Sequence, residues 1–274
     1  MDKIQQKAYN LIEALPYIQK YSGSIFVIKY GGNAMIDDSI KNAVMGDIAL
    51  LKHVGINPIV VHGGGPMITK EMQKAHIKPK FVNGLRYTDA KTMQIVKNVS
   101  GMISGEIKKL LENESCKSEN ITDGLIKTKI KNKSLGLVGD IAGIDKSKIF
   151  KKIKQGIIPI IGPYGHDGKH YNNINADTVA TKVAEAVNAE KLTILTNVEG
   201  VYENGKLITH LSIKSANTGI KKGVINKGMI PKVKACINAV EKGVKKAHLI
   251  DGTYKHSLLL EFFTVKGIGT EIVK

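Results

Sequence analysis

Read for its apolar positions alone, the chain falls into short continuous apolar runs separated by stretches of helical period. Ile4, Ala8, Leu11, Ile12 and Leu15 recur at helical spacing, which predicts an amphipathic helix over about 3–15, stopped near Pro16 because proline lacks the N–H that the next turn needs. Ile25-Phe26-Val27-Ile28 is apolar without alternation and leads through Lys29-Tyr30-Gly31-Gly32-Asn33 into a helical pattern over about 39–53. The same succession of strand, glycine turn and helix returns at Pro58-Ile59-Val60-Val61, His62-Gly63-Gly64-Gly65-Pro66 and about 67–75. Further apolar runs lie at 157–161, 192–195 and 247–250, with helical patterns near 89–111, 176–189 and 230–245. Strands without polar alternation are covered on both faces, so their interleaving with helices predicts an α/β fold around a largely parallel sheet. The turn-rich stretch 162–175 predicts a hairpin and a boundary between two lobes.

Composition narrows this picture. At 274 residues and 42% hydrophobic, the chain can bury a core as one α/β unit or as two lobes sharing a sheet. No stretch approaches the ~18 consecutive apolar residues of a membrane span, so a cytosol-like compartment and no membrane partner are expected. Cys116 and Cys236 lie far apart without metal-ligand spacing, which fits reduced structural thiols. A net charge of +17 would suit a nucleic-acid partner, but the charge is spread over nearly every segment with little aromatic interleaving, so no nucleic-acid partner is expected. The lysine-rich stretch 127–133 reads as a solvated edge. Among 41 Lys and Arg residues the single arginine is Arg86. A planar fork that binds carboxylates bidentately is the one thing lysine cannot copy, which makes Arg86 a candidate carboxylate-binding residue.

The two glycine turns either reverse the chain or aim backbone N–H groups and a helix N-terminus at an anion. Neither fits the dinucleotide or P-loop glycine pattern. Lys29 favours the anion, because it ends a buried-type strand where a charge is costly without an anionic partner. Five segments then occur in order: Ile28-Lys29-Tyr30-Gly31-Gly32-Asn33-Ala34-Met35, Val60-Val61-His62-Gly63-Gly64-Gly65-Pro66, Asn83-Gly84-Leu85-Arg86, Asn173-Ile174-Asn175-Ala176-Asp177 and Gly228-Met229-Ile230-Pro231-Lys232-Val233. Together they resemble the acetylglutamate kinase family of amino acid kinases, from about residue 8 to residue 273.

The resemblance implies a three-layer αβα sandwich with an open, largely parallel central sheet. It also implies an acylglutamate-binding and dimerisation lobe over 1–174 and a nucleotide lobe over 175–274. The implied activity is ATP-dependent phosphorylation of the side-chain carboxylate of N-acetyl-L-glutamate, with Mg2+ on the ATP phosphates. Lys29 and Lys232 match the lysines flanking the transferred phosphoryl group, and Asp177 matches the carboxylate that orients them. Gly64, Gly65, Arg86 and Asn173 match the acylglutamate contacts, while Gly31, Gly32, Gly63, Asn175, Thr196 and Gly228 match phosphate and nucleotide contacts. A carboxylate nucleophile with a reference pKa of ~4 is ionised at pH 7, so no general base is required. His62 then reads as a holder of the glycine loop by hydrogen bonds rather than as a catalyst. The implied location is cytoplasmic, or the plastid stroma for an organelle-encoded chain.

Two further features resemble the arginine-inhibited, hexameric branch of that family, a trimer of dimers. The amino-terminal helix matches the helix that links the dimers, and the run from His248 to Thr270 resembles the arginine-holding turn, with Glu261 for the guanidinium and Gly267 in the turn. Four departures are visible. Asn197 stands where the family usually has Asp, Lys227 replaces a glycine, the stretch 116–129 is short, and Val265-Lys266 occupies positions where acidic residues are usual. A lysine beside a cationic effector costs affinity by repulsion. The remaining rivals are a kinase of the same fold acting on an aminoadipate derivative in lysine biosynthesis, and a silent regulatory homologue.

Overall fold

The computed structural model describes residues 3–226 and 228–274; Lys227 and the side chain of Ile4, both singled out above, lie outside the described residues. Eight strands form the central sheet: β1 (Ile25–Tyr30), β2 (Asn57–His62), β3 (Ser118–Asn120), β4 (Ile158–Ile161), β5 (Lys191–Thr196), β6 (His210–Ser212), β7 (Lys246–Asp251) and β8 (Thr270–Val273). Their order is β6-β8-β7-β5-β1-β2-β4-β3, and every neighbouring pair is parallel except β7 with β8. The strand order reverses at β1, which has β2 on one side and β5 on the other. Open α/β sheets bind their ligands outside the carboxyl ends of the strands at such a point. In register, Lys29 lies beside Val61 and Ile194, and Tyr30 beside His62. Lys29 and both glycine turns therefore leave the sheet at one edge.

The apolar runs read as two-sided, and the sheet buries both faces. Val27, Ile59, Val61, Leu192 and Ile194 point into one core, covered by α5 (Lys146–Lys154), α6 (Ala176–Ala186), α7 (Ile213–Lys221) and α8 (Ile230–Glu241). Phe26, Ile28, Val60, Leu195 and Ile250 point into the other, covered by α1 (Lys3–Tyr21), α2 (Asp38–His53), α3 (Gly65–Lys74), α4 (Ala90–Asn113) and α9 (Ser257–Phe263). Each fully buried side chain of this kind stabilises by about 1.5–3 kcal/mol over exposure, so the two-sided pattern fixes the three layers. A smaller four-stranded sheet, in the order Tyr171–Asn173, Tyr164–His166, Ile126–Ile130, Gly139–Ile144, flanks the large one. It contains the hairpin expected over 162–175. The lysine run contributes a strand to it, in which Ile126 and Thr128 are buried while Lys127 and Lys129 face solvent.

The amino-terminal helix differs from expectation. It continues through Pro16 to Tyr21. A proline inside a helix costs about 3 kcal/mol. Past Pro16, however, Tyr17 and Ile18 pack on the second core and Tyr21 is buried in it, making an edge-to-face contact with Phe26 at 5.3 Å. Packing of that last turn outweighs the lost hydrogen bond.

Candidate active site

Three helix N-termini converge on the sheet edge where Lys29 emerges. Helix α3 follows Gly64, an N-cap residue with no side chain to offer, and carries Pro66 in its first turn, so its leading N–H groups have no side-chain cap. Helix α6 is capped by Asn175, whose Oδ1 accepts the Thr178 N–H at 3.1 Å, and that cap places Asp177 in the first turn. Ahead of α8, Asn226 Oδ1 accepts the Met229 N–H at 3.0 Å, and Lys232 follows in the first turn. A cavity of about 310 Å3 lies between them, lined among others by Lys29, Gly63, Arg86, Asn173, Asp177 and Lys232. Gly32, Gly64, Gly65 and Asn175 also line it, whereas Gly31, Thr196 and Gly228 lie outside its walls.

Asp177 is the hub. Lys232 Nζ donates to its Oδ2 at 2.8 Å, and Lys29 Nζ lies 3.2 Å from its Oδ1 as an ion pair without hydrogen-bond alignment. Burial alone would raise the Asp177 carboxyl, but Lys29 and Lys232 together hold it below the usual carboxylate range. Burial lowers the Lys29 ammonium, with Asp177 opposing and Lys232 reinforcing the shift. One carboxylate thus serves two ammonium groups, and the site retains positive charge facing the cavity.

The glycine turns serve this arrangement. Gly31 is extended, and a Cβ on it would sit 3.1 Å from Lys29 Nζ and 3.4 Å from the Gly63 nitrogen, so a side chain here would crowd the lysine. Gly32 adopts a left-handed φ of +68°, and Asn197 Oδ1 is 3.2 Å from where its Cβ would be. Under the second turn, His62 is fully buried, with Nδ1 2.9 Å from the Gly63 carbonyl oxygen and Nε2 2.8 Å from Ser104 Oγ. Burial pushes the imidazole down to about 4, so it is neutral at pH 7. Its Nδ1–H donates to Gly63, and its Nε2 accepts from Ser104. His62 is therefore a strut that ties the loop to α4.

Arg86 is largely buried and also lines the cavity. Its Nη2 donates to the Gly65 carbonyl oxygen at 3.0 Å and to Thr69 Oγ1 at 2.9 Å, and its guanidinium stacks 4.8 Å from the centre of the Phe81 ring. Asn173 Nδ2 donates to Thr88 Oγ1 at 3.1 Å.

A second cavity, of about 290 Å3, opens at the other end of the sheet between α1 and the turn after α9. Glu261 and Gly267 meet there. Glu261 accepts from His248 Nδ1 at 2.6 Å and from the N–H groups of Ile268 and Gly269 at 2.8 and 3.0 Å. Burial would raise its carboxyl, but His248 and those two N–H groups bring it below the usual value. Gly267 has φ +58°, and a Cβ on it would lie 2.8 Å from Glu261 Oε2, so the turn can wrap the carboxylate only through glycine. Val265 is 83% exposed at the tip of this turn, and Lys266 also lines the cavity.

The pattern of the amino acid kinase family matches residues 24–251. The chain belongs to the amino acid kinase family. Within the family it is 50% identical over 280 residues to an acetylglutamate kinase of Thermoanaerobacter sp. (strain X514), with 98% of this chain and 93% of that one covered. Among solved structures it matches the N-acetylglutamate synthase from Neisseria gonorrhoeae complexed with coenzyme A and N-acetyl-glutamate, with a TM-score of 0.89 and 25% identity. That match covers 97% of this chain but 63% of the synthase, which is the longer protein. The same synthase complexed with coenzyme A and L-arginine matches with a TM-score of 0.84 at 25% identity, covering 97% of this chain and 65% of that one. Thr88, Ser104, Phe81 and Thr69 were not singled out in the sequence of this family member. Each is a common residue type without a motif of its own, and each matters through a neighbour that only the fold supplies.

Proposed function

We propose that the chain catalyses ATP-dependent phosphorylation of the side-chain carboxylate of N-acetyl-L-glutamate, forming N-acetyl-L-glutamyl 5-phosphate in arginine biosynthesis. The observation that carries this reading is Asp177 held between Lys29 and Lys232 in the cavity that Arg86 also lines. The chemistry brings together two anions, a carboxylate and a polyphosphate. Lys29, Lys232 and Arg86, three cations lining the cavity with the Asp177 carboxylate, offset their repulsion, and in this reading Lys29 and Lys232 stabilise the charge on the phosphoryl oxygens during in-line transfer. A carboxylate oxygen of the substrate forms the new bond to the γ-phosphorus while the bond to the leaving ADP breaks, and no proton needs to move. Gly64 and Gly65 at the start of α3, with Arg86 and Asn173, form the acylglutamate side within residues 1–174. Gly31, Gly32, Gly63, Asn175, Thr196 and Gly228 are assigned to the nucleotide side.

Among the described residues, no group of three or more His, Cys, Asp or Glu side chains is placed to hold a metal ion, and Asp177 is taken by both lysines. A protein-held Mg2+ does not fit this donor set. Mg2+ enters this reading as an ion carried by the ATP phosphates. No described helix is long and apolar enough to cross a membrane, and we assign a cytoplasmic location.

A coupled assay of ADP release tests the assignment, run side by side with N-acetylglutamate and the N-acetylated aminoadipate. One methylene is worth about 1–3 kcal/mol of discrimination, so kcat/KM for the glutamate derivative should exceed the other by roughly tenfold or more. Higher efficiency on the aminoadipate derivative would reassign the substrate.

We further propose that L-arginine inhibits the enzyme at the second cavity and that the assembly is a trimer of dimers. Tyr17, Lys20 and Tyr21 of α1 line that cavity together with Glu261 and Gly267, which supports coupling between the helix and the effector turn. Tyr9, Leu11 and Ile12 of α1 are 64–75% exposed, an apolar face available to another protomer. Deleting residues 1–20 should yield an active dimer insensitive to arginine. A deletion variant that stays hexameric by light scattering would remove the assigned role of the helix.

A further inference from the structure

Arg86 and Asn173 line the cavity from segments far apart in the chain, and one buried side chain joins them. Thr88 Oγ1 donates to the Arg86 carbonyl oxygen at 2.9 Å and accepts from Asn173 Nδ2 at 3.1 Å. A hydroxyl has one donor and two acceptor lone pairs, so a single oxygen addresses both residues at once. Thr88 itself is fully buried and does not line the cavity. It touches the site only through its two partners.

The backbone around Thr88 is held as closely as its side chain. The Thr88 N–H donates to the Leu135 carbonyl oxygen at 3.1 Å, and the Thr88 carbonyl oxygen accepts from the Leu137 N–H at 2.6 Å. The Leu137 carbonyl oxygen in turn accepts the Asn173 N–H at 2.9 Å. The strip Leu135-Gly136-Leu137 is thus bonded to Thr88 on one side and to Asn173 on the other. Gly136 sits at φ +69°, and a Cβ on it would overlap the Thr88 carbonyl oxygen. Only glycine lets the strip approach this closely. Thr88 is therefore located by its backbone, and its hydroxyl then sets how far Asn173 stands from Arg86 and which way the Asn173 amide is turned.

We propose that Thr88 is a positioning residue for the acylated amino acid, acting through Arg86 and Asn173 on the substrate's binding and not on the nucleotide's. The proposal rests on the reading that N-acetylglutamate occupies this cavity. Thr88→Val keeps the shape and removes the hydroxyl, leaving a buried carbonyl and a half-buried amide without their partner. The KM for N-acetylglutamate should rise roughly five- to a hundredfold, while the KM for ATP stays within about twofold. Thr88→Ser retains the oxygen and should return the acylglutamate KM to within about threefold of wild type. Gly136→Ala, which pushes Thr88 through its backbone, should raise the same KM with the hydroxyl intact. An unchanged acylglutamate KM in Thr88→Val would overturn the proposal. So would a parallel rise in both KM values, or failure of serine to rescue.

If the wild-type enzyme turned over ATP with no dependence on N-acetylglutamate, the functional reading would fall instead. Thr88 would then be judged by the side-chain amide resonances of Asn173 in labelled protein. Displacement in Thr88→Val with restoration in Thr88→Ser supports the role, and resonances unmoved in Thr88→Val remove it.

Discussion

Two buried lysines on adjacent strands of one sheet meet opposite fates. Lys29 ends β1 at the carboxyl edge, 3.2 Å from the carboxylate of Asp177, which it shares with Lys232. Lys191 begins β5 at the other edge, where its Nζ lies 3.1 Å from His248 Nε2 and over the rings of Tyr21, Phe262 and Phe26 at 4.9, 5.4 and 5.9 Å. His248 donates its Nδ1–H to Glu261 and is held neutral by burial, so its Nε2 offers Lys191 a lone pair rather than a charge. Burial pushes the Lys191 ammonium down to about 8. The first cavity therefore contains cations in excess of a carboxylate placed between them, a field that an incoming polyphosphate completes. In the second, the carboxylates are already engaged: Glu261 by His248 and two backbone N–H groups, and Glu271 by Lys246 at 2.8 Å. A guanidinium entering there has to displace bonds that the protein makes with itself.

The sharpest way to break the contrast is to remove the cations of the first cavity. Lys29→Ala and Lys232→Ala should each lower kcat roughly 100- to 1000-fold, the usual cost of one preorganised transition-state donor, with smaller changes in KM. Steady-state kinetics within about threefold of wild type would strip that lysine of its role.

Arg86→Lys comes next. It replaces a fork that is already bonded to Gly65 and Thr69 and stacked on Phe81 by a point charge, at roughly 1.5–3 kcal/mol of charged hydrogen bonding. The acylglutamate KM should rise about ten- to a hundredfold while ATP affinity stays put, and an unmoved KM would mean that the single arginine is there for packing.

Lys191→Met should have the smallest effect on turnover and the opposite sign in stability. In the unfolded chain this lysine stays protonated up to its ordinary pKa near 10.4, whereas in the folded protein it releases its proton near 8. Protonated Lys191 consequently costs stability at neutral pH, and that cost fades as pH rises from about 8 to about 10.4. The methionine variant should melt higher than wild type at pH 7, by an amount equivalent to up to roughly 3 kcal/mol, with the gap closing toward pH 10. A variant that melts lower at pH 7 would show that contacts with the three rings and His248 outweigh the desolvation.

The first cavity was partly legible in the sequence, for a physical reason. Lys29 and the glycines of both turns are fixed by local backbone geometry at the end of a strand or the start of a helix. Such geometry leaves a spacing in the chain, whereas Asp177, Asn175 and Lys232 were named only through the resemblance. The second cavity was legible only through resemblance, because Glu261 and Gly267 mean little until His248, Lys191 and α1 are folded around them. Thr88 was invisible for the same reason. Its two partners come from Arg86 and Asn173, and the strip that locates it comes from a third segment.

What the chain determined by itself is the period of its apolar residues, hence a parallel sheet covered on both faces, and the strand-end glycines beside a buried lysine, hence the expectation of an anion site at one edge. Those features follow from interactions within a few residues and from the rule that buried apolar surface must be covered. Tertiary structure alone decided that α1 runs through Pro16, since only packing of Tyr17, Ile18 and Tyr21 on the second core offsets the broken hydrogen bond. It also decided which carboxylate stands between Lys29 and Lys232, and that Lys191 has aromatic rings and a neutral imidazole where Lys29 has a carboxylate. The energy of a buried charge depends on the groups within a few ångströms, and those groups come from parts of the chain that sequence spacing does not connect.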